Sequence, residues 1–423
     1  MKSSKRTEQE MSNEQKEHKC TWYLLLLQRL HLEYIAIKEP FALDHKATSH
    51  PILVQSSPTT FKMGRMNLGE EIAVAVATMI GASLSFFGSS CIIWNIMRKQ
   101  KYRKDTYHRL LLGACAFDWL NAIGWFMAPL APPKDSSPRA LSMGNTASCT
   151  TQAFLLQIGV AFMIYNACLC VYYLLTIGYN VSQSRMIWRE RIMHIVCLIW
   201  GIGAAIIPIP MEIYNENGVG NGCWLGRFPQ YCETEQNPVP CLRGADIDPA
   251  LVGYIVAGLP AIASIVIVAV CNIMIYRAAR KQGEATRRFA IESLPPNQTP
   301  ERTRDIAAQA TWYVVVFLNS LFWQLLLRFL DAADVITWEN ESSYTALILL
   351  GQFFSSSSGF GFLLVYVRPR YLRYRKKEIP RLTALAVAMS FRRPPIISNG
   401  GRQRHASVVQ NDNASRSDSD DEY

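Results

Sequence analysis

In the run RLLLGACAFDWLNAIGWFMAPLAPP, residues 109–133, Asp118 is the only ionisable side chain after the opening arginine. Burying a carboxylate in an apolar stretch of this length costs on the order of 2.5–3.5 kcal/mol on insertion scales. Such a group persists only where hydroxyls, amides, water or a cation meet it. A second charge stands in comparable surroundings: Arg328, in TWYVVVFLNSLFWQLLLRFL. Its guanidinium either pairs with Asp331 or Asp334 at helical spacing or grips an anionic ligand through two parallel hydrogen bonds, with Trp323 and Gln324 a turn below as further ligand-lining residues. The chain shows no metal-spaced histidine cluster, nucleophile motif or phosphate-binding glycine loop. We expect no enzymatic activity, no metal and no cofactor.

The elements that must hold these residues follow from composition. Half of the 423 residues are hydrophobic, only 18% are charged and the mean hydropathy is positive. A soluble chain carries about 25% charged residues. Seven apolar runs have the length needed to cross a bilayer: 72–97, 107–131, 149–179, 192–211, 251–276, 309–331 and 344–367. Each has the roughly 20 residues that span about 30 Å of hydrocarbon as a helix. The expected fold is therefore an all-α membrane protein, a bundle of seven transmembrane helices. Pro208, Pro210 and Pro260 are expected to kink or end the fourth and fifth segments.

Orientation follows from lysine and arginine, which stay on the cytoplasmic side of short connections. Residues 98–109, 179–191, 277–308 and 368–393 hold six, three, seven and nine of them, whereas the alternate connections hold only Lys134, Arg139, Arg227 and Arg243. The amino terminus is thus expected outside and the carboxyl terminus in the cytoplasm. The net charge of +10 reflects this asymmetry, so a nucleic-acid partner is not required.

Residues 1–71 are expected to form an outside tail, with Met63 or Met66 as an alternative start; the patch WYLLLL is short for a signal-peptide core. Residues 368–393 are basic and interleaved with Tyr371, Leu372 and Tyr374, a pattern suited to a short amphipathic helix on the anionic inner leaflet. Residues 394–423 are polar and expected to be disordered, with Ser407, Ser417 and Ser419 open to phosphorylation. Asn340, in NES, would face outward as a glycosylation acceptor, while Asn180, Asn297 and Asn413 would face the cytoplasm and stay bare. Six cysteines lie within segments and are expected to be packing residues. Cys149, Cys223, Cys232 and Cys241 fall on the outer side, where disulfides persist. Four cysteines allow three pairings. We expect Cys149 with Cys223, leaving Cys232 with Cys241, so that the loop after the fourth segment forms a restrained lid.

Seven segments, an outside amino terminus, a cysteine at the head of the third segment and a basic cytoplasmic face resemble G protein-coupled receptors. CTTQAFLLQIGVAFMIYNACLCVYYLLTI, 149–177, resembles the third helix of the cyclic AMP receptor-like family (class E) and related protist and fungal receptors. LLLGACAFDWL, 110–120, resembles the second-helix pattern shared with rhodopsin-like receptors, and LLVYVRPRY, 363–371, their seventh-helix ending. The likeness spans about residues 72–374. The chain departs from the rhodopsin-like pattern in lacking Asp-Arg-Tyr after the third segment, the proline of the sixth and Asn-Pro-x-x-Tyr in the seventh.

The resemblance implies an integral, plasma-membrane receptor that passes an extracellular signal to a heterotrimeric G protein. It places Asp118 in a hydrated pocket shared with the third and seventh helices, where a cation or water cluster would act as a switch. Asn166, Ser355 and Ser356, with Ser357 and Ser358, are its expected neighbours, the serines matching its depth within a turn. Arg277, Arg280, Arg302 and Arg304 would rim the cytoplasmic cleft that receives the G protein. Retinal-based light sensing is not expected, because 344–367 contains no lysine for a Schiff base. The rival reading is a seven-helix small-solute transporter or channel, which would typically show internal repeats and broken helices.

Overall fold

The computed structural model describes residues 66–134, 139–216, 222–229, 232, 240–245, 247–289, 300–333, 335–337, 340–376 and 379–390. Expectations for residues 1–65, Asp334, Asn297, Asn413 and the tail serines fall outside the described residues.

Helix α1, Leu68–Arg98, starts at a capping box in which Asn67 accepts the Glu70 N–H and Glu70 accepts that of Asn67. After a short helix, Gln100–Lys104, α2 runs Thr106–Met127. Helix α3, Thr146–Gly178, is capped by Asn145 and ends in a π-helical turn. Helix α4 is Gln183–Ile206. A hairpin of β1, Tyr214–Glu216, and β2, Cys223–Leu225, pairs antiparallel with Asn215 opposite Trp224. Helix α5 begins as Pro249–Gly253, passes a π-helical turn at Tyr254–Gly258 and continues as Leu259–Phe289. Then come α6, Pro300–Ala332; α7, Thr345–Ser356; α8, Ser358–Lys376; and α9, Arg381–Ser390.

Among the described residues, five helices are long and apolar enough to cross a membrane: α1, α2, α3, the body of α5 and α6. The α7–α8 pair makes a sixth if its 53° bend belongs to one broken span. Helix α4 falls short because its first nine residues carry Arg185, Arg189, Glu190 and Arg191. It starts nine residues before the apolar run expected at 192, since Glu190 turns inward, 5% exposed, to the Arg109 guanidinium and the Thr106 hydroxyl of α2. It ends at Ile206, just ahead of Pro208 and Pro210.

Pro260 leaves a clear trace. A proline has no N–H for the carbonyl four residues earlier and its ring crowds that carbonyl. The π-helical turn absorbs the misfit, and the Val256 carbonyl instead accepts the side chains of Gln157 and Trp200, each at 3.3 Å. The π-helical turn is thereby fastened to α3 and α4.

Two other expectations change. The connection at 277–308 is helical to Phe289 and again from Pro300, because its charged residues are good helix formers. Residues 368–376 extend α8, which continues through Pro369 to Lys376, and a separate short helix, α9, occupies Arg381–Ser390 within the basic stretch with Ala384 and Ala388 buried. The core runs along the bundle axis, with Ile92, Leu111, Phe162, Tyr165, Tyr313 and Phe362 at its centre.

Candidate functional site

The site forms where α1, α2 and the break between α7 and α8 meet. Small residues on one face of α1 allow the approach. A Cβ on Gly81 would lie 2.2 Å from Ser356 Oγ, and one on Gly88 would lie 2.5 Å from the Gly359 carbonyl oxygen. Close backbone packing through small residues is a common way for helices to associate where lipid provides no hydrophobic drive. Into this seam α2 projects Asp118, which is 1% exposed.

Three hydroxyls meet the carboxylate. Ser85 and Ser89 of α1 donate to Oδ2 at 3.0 and 2.5 Å, and Ser358 of α8 donates to Oδ1 at 2.6 Å. Ser85 also accepts the Gly359 N–H at 2.7 Å. That N–H lies in the first turn of α8, where backbone donors lack intrahelical partners and the helix dipole is positive. Asp118 therefore receives donors from two side-chain directions and sits beside a helix amino terminus, which offsets the cost of burying it. The break at Ser357 creates this arrangement, because an unbroken seventh helix would have used the Gly359 N–H internally.

The expected neighbours divide. Of the four serines, Ser358 reaches Asp118. Ser356 donates to the Phe353 carbonyl at 3.2 Å, while Ser355 Oγ is buried without a hydrogen-bond partner. Asn166, fully buried, has both amide atoms unpartnered and is not bonded to Asp118. It lies on α3 between Phe162, whose ring is 4.9 Å from Phe362, and Tyr173, whose ring is 5.7 Å from Tyr107. Ser85, Ser89 and Gly359 escaped the sequence reading, although the small residues of GASLSFFGSS at four- and seven-residue spacing mark that face of α1.

The disulfide-bearing end is closed by the hairpin. Cys149 pairs with Cys223, and Cys232 with Cys241. Gln152 Oε1 accepts the Cys223 N–H at 2.7 Å, and Trp224 Nε1 donates to Gln157 at 3.0 Å, so the hairpin is fixed along α3. Arg328 lies over the Trp224 ring at 4.6 Å and 3.8 Å from Asp331. Its charge is thus engaged with an aromatic face and a carboxylate. Trp323 stacks on Phe354 at 5.6 Å, and Gln324 is half-buried.

At the same end Arg139, in the connection after α2, donates to both oxygens of Glu341 at 2.9 Å and lies 3.8 Å from Glu71 of α1. Burial alone would push the guanidinium down, but the Glu341 hydrogen bonds, with the charges of Glu341 and Glu71, hold it above the ordinary arginine value. This network ties α1, the α2–α3 connection and the start of α7 together.

The opposite, basic end is closed by tyrosines. The Tyr107 and Tyr313 hydroxyls share a hydrogen bond at 2.9 Å between α2 and α6, and Gln309 donates to Tyr107 at 3.2 Å. Asn95 donates to Tyr366 at 2.5 Å and Arg370 to Tyr102 at 2.9 Å. Arg277 and Arg280 are exposed on α5; Arg302 and Arg304 lie in the first turns of α6. The Tyr107–Tyr313 bond holds α6 against α2. Replacing Tyr313 with phenylalanine removes that bond and leaves the ring packing, so α6 is expected to open more readily. The check is a spin-label distance between α2 and α6 at this end, whose distribution should broaden to longer values in Tyr313→Phe.

No family model matches the chain, and no curated protein does. Among solved structures it is similar to squid rhodopsin, with a TM-score of 0.50 and 14% identity, covering 82% of this chain and 98% of that one. The chain therefore shares its helical fold with squid rhodopsin.

Proposed function

We propose that this chain is a G protein-coupled receptor of seven transmembrane helices, with its amino terminus outside and its carboxyl terminus in the cytoplasm, acting in the plasma membrane. The observation that carries the reading is the Asp118 cluster: one buried carboxylate holds hydroxyls of α1 and α8 across the 53° break after α7. A ligand that moves α7 or α8 must rearrange these bonds, and Asp118 so becomes a two-state element biased from outside. In the alternate state the unpartnered groups of Asn166 and Ser355, together with Ser356, a water cluster or a cation, take up the donors and acceptors that the shift exposes. Opening of α6 breaks the Tyr107–Tyr313 bond and exposes a cleft rimmed by Arg277, Arg280, Arg302 and Arg304 to a heterotrimeric G protein. The rhodopsin-like fold and the basic asymmetry of the connections support this reading. The sequence likeness of 149–177 to the third helix of the cyclic AMP receptor-like family supports a receptor of that kind.

The test is GTP loading by a heterotrimeric G protein in the presence of purified receptor, over a ligand panel that includes cyclic nucleotides. Ligand-dependent acceleration is expected, and Asp118→Asn, which keeps the shape but changes the charge and donor pattern, should alter the ratio of stimulated to basal rates several-fold. The broken seventh helix also favours a transporter. No acceleration with any G protein, together with solute flux in liposomes, would put that second reading first.

A further inference from the structure

The seam between α3 and α4 holds two free thiols against each other. Cys168 Sγ of α3 lies 3.9 Å from Cys197 Sγ of α4. Neither belongs to the two outer disulfides. Residue spacing produces the contact. Ala161, Tyr165 and Cys168 follow one another at four and three residues, and His194, Cys197 and Gly201 at three and four, so each set lies along one helix face. The faces meet closely, for a Cβ on Gly201 would lie 2.4 Å from that of Ala161. A turn further along α4, His194 Nδ1 and the Tyr165 hydroxyl share a hydrogen bond at 2.8 Å. His194 Nε2 lies 3.8 Å from Glu190, whose carboxylate accepts from Arg109 at 2.6 Å and Thr106 at 2.8 Å, both of α2. Contacts on either side thus brace the two sulfurs. The thiols differ in exposure: Cys197 is fully buried, whereas Cys168 is half-buried.

We propose that Cys168 and Cys197 are an oxidation site, which a hydroperoxide converts to a disulfide that fastens α3 to α4. Cys168 meets the oxidant, because Cys197 has no exposed surface. Its sulfur attacks one peroxide oxygen and the O–O bond breaks. The Cys168 proton leaves with the departing oxygen, as water from hydrogen peroxide or as an alcohol from a lipid hydroperoxide, and Cys168 becomes a sulfenic acid. The Cys197 sulfur then attacks the Cys168 sulfur, the S–O bond breaks and the hydroxyl leaves with the Cys197 proton as water. Two thiols have given up two electrons and the peroxide has taken them. The sulfurs have only about 1.9 Å left to close before reaching the disulfide bond length. That nearness favours the second step over further oxidation of Cys168. Cys170, two residues on, packs instead in the α3–α5 cluster with Val268 and Cys271.

The experiment is differential alkylation of the full chain in lipid nanodiscs after limited exposure to hydrogen peroxide or to cumene hydroperoxide, which partitions into lipid. Free thiols are blocked with iodoacetamide in detergent, disulfides are then reduced, and the thiols so released are labelled with N-ethylmaleimide and assigned by mass. Cys168 and Cys197 are expected to pass together from the first label to the second, several-fold more than Cys91, Cys115, Cys170 or Cys271. Conversion by either oxidant supports the proposal, and the faster one tells whether the bilayer or the water delivers the peroxide. In Cys197→Ser, Cys168 should stop at the sulfenic acid and be captured by dimedone. The oxidised wild type should unfold about 5 °C later than the untreated protein, a shift that Cys197→Ser lacks. Failure of both oxidants to convert the pair, conversion of Cys168 without Cys197, or equal conversion of Cys170 and Cys271 would overturn the proposal. A disulfide that forms and leaves the midpoint unchanged would overturn its fastening role. The labelling of the wild type needs no variant and no G protein, so it stands even if Cys197→Ser folds poorly and is independent of the receptor reading.

Discussion

Replacing Arg139 with methionine is expected to destabilise the folded bundle by about 3–5 kcal/mol, the usual consequence of breaking a buried ion pair from one side. Glu341 is fully buried and Glu71 is 6% exposed, and both face the Arg139 guanidinium. Methionine fills a similar volume but leaves the two carboxylates together without it. The loss comes mainly from that uncompensated charge, so the double substitution Arg139→Met with Glu341→Gln should recover a substantial part of it. On the scale of a large domain the single change lowers the unfolding midpoint by on the order of 10 °C. Thermal unfolding of both variants in nanodiscs checks the claim. Equal instability of the single and double variants would show that packing, not charge, governs this end. The functional corollary is that α1 and the start of α7 are held at a fixed separation, and Ser342, which donates to Glu70 at 3.0 Å, adds a second tie between the same elements.

How much of this was legible in the sequence depends on which physical signal carried it. Apolar length identifies α1, α2, α3, α5 and α6 directly, since burial in lipid demands it. Helix α4 was mislocated at its start because hydropathy treats Glu190 and Arg109 as solvent-seeking, whereas they satisfy each other between helices. Asp118 was legible from its cost alone. Its partners were less so: depth along the seventh segment pointed first to Ser355 and Ser356, whereas Ser358 is the serine of that run that donates to Asp118, because a straight-helix count cannot anticipate the break at Ser357. Ser85 and Ser89 were missed because a serine in an apolar helix is polar enough to donate yet small enough to be read as packing. The Arg139 network was invisible for another reason. Its members come from the first turn of α1, the α2–α3 connection and the turn before α7, and only the closed bundle brings residues 71, 139 and 341 together.

The same closeness predicts the second large effect. Gly359→Ala is expected to cost at least about 3 kcal/mol, the sum of overpacking and of disrupting buried hydrogen bonds. The new Cβ would lie 2.2 Å from Asp118 Oδ2, 2.5 Å from Ser89 Oγ and 2.7 Å from the backbone carbonyl of Ser85. The two side-chain atoms can turn away only by abandoning their own bond, and the carbonyl can yield only if α1 moves as a body. A graded series separates this from a general intolerance of alanine. Gly88→Ala should be comparably harmful, since its Cβ meets the Gly359 backbone at 2.5 Å from the other side of the seam. Gly361→Ala meets only the Val316 side chain, at 2.5 Å, and should cost less; Gly203→Ala meets nothing within 4 Å and should be neutral or slightly stabilising, as expected for an open helix-interior glycine. Midpoints measured for all four should follow that order. If Gly359→Ala unfolds no earlier than Gly203→Ala, the seam is loose enough to admit a methyl group, and Asp118 cannot be held rigidly enough to report movement of the seventh helix. If the order holds, those variants that still fold carry a wedge at the Asp118 cluster. Under the proposed receptor function, their basal rate of G protein loading then tests whether separating α1 from α8 activates the bundle.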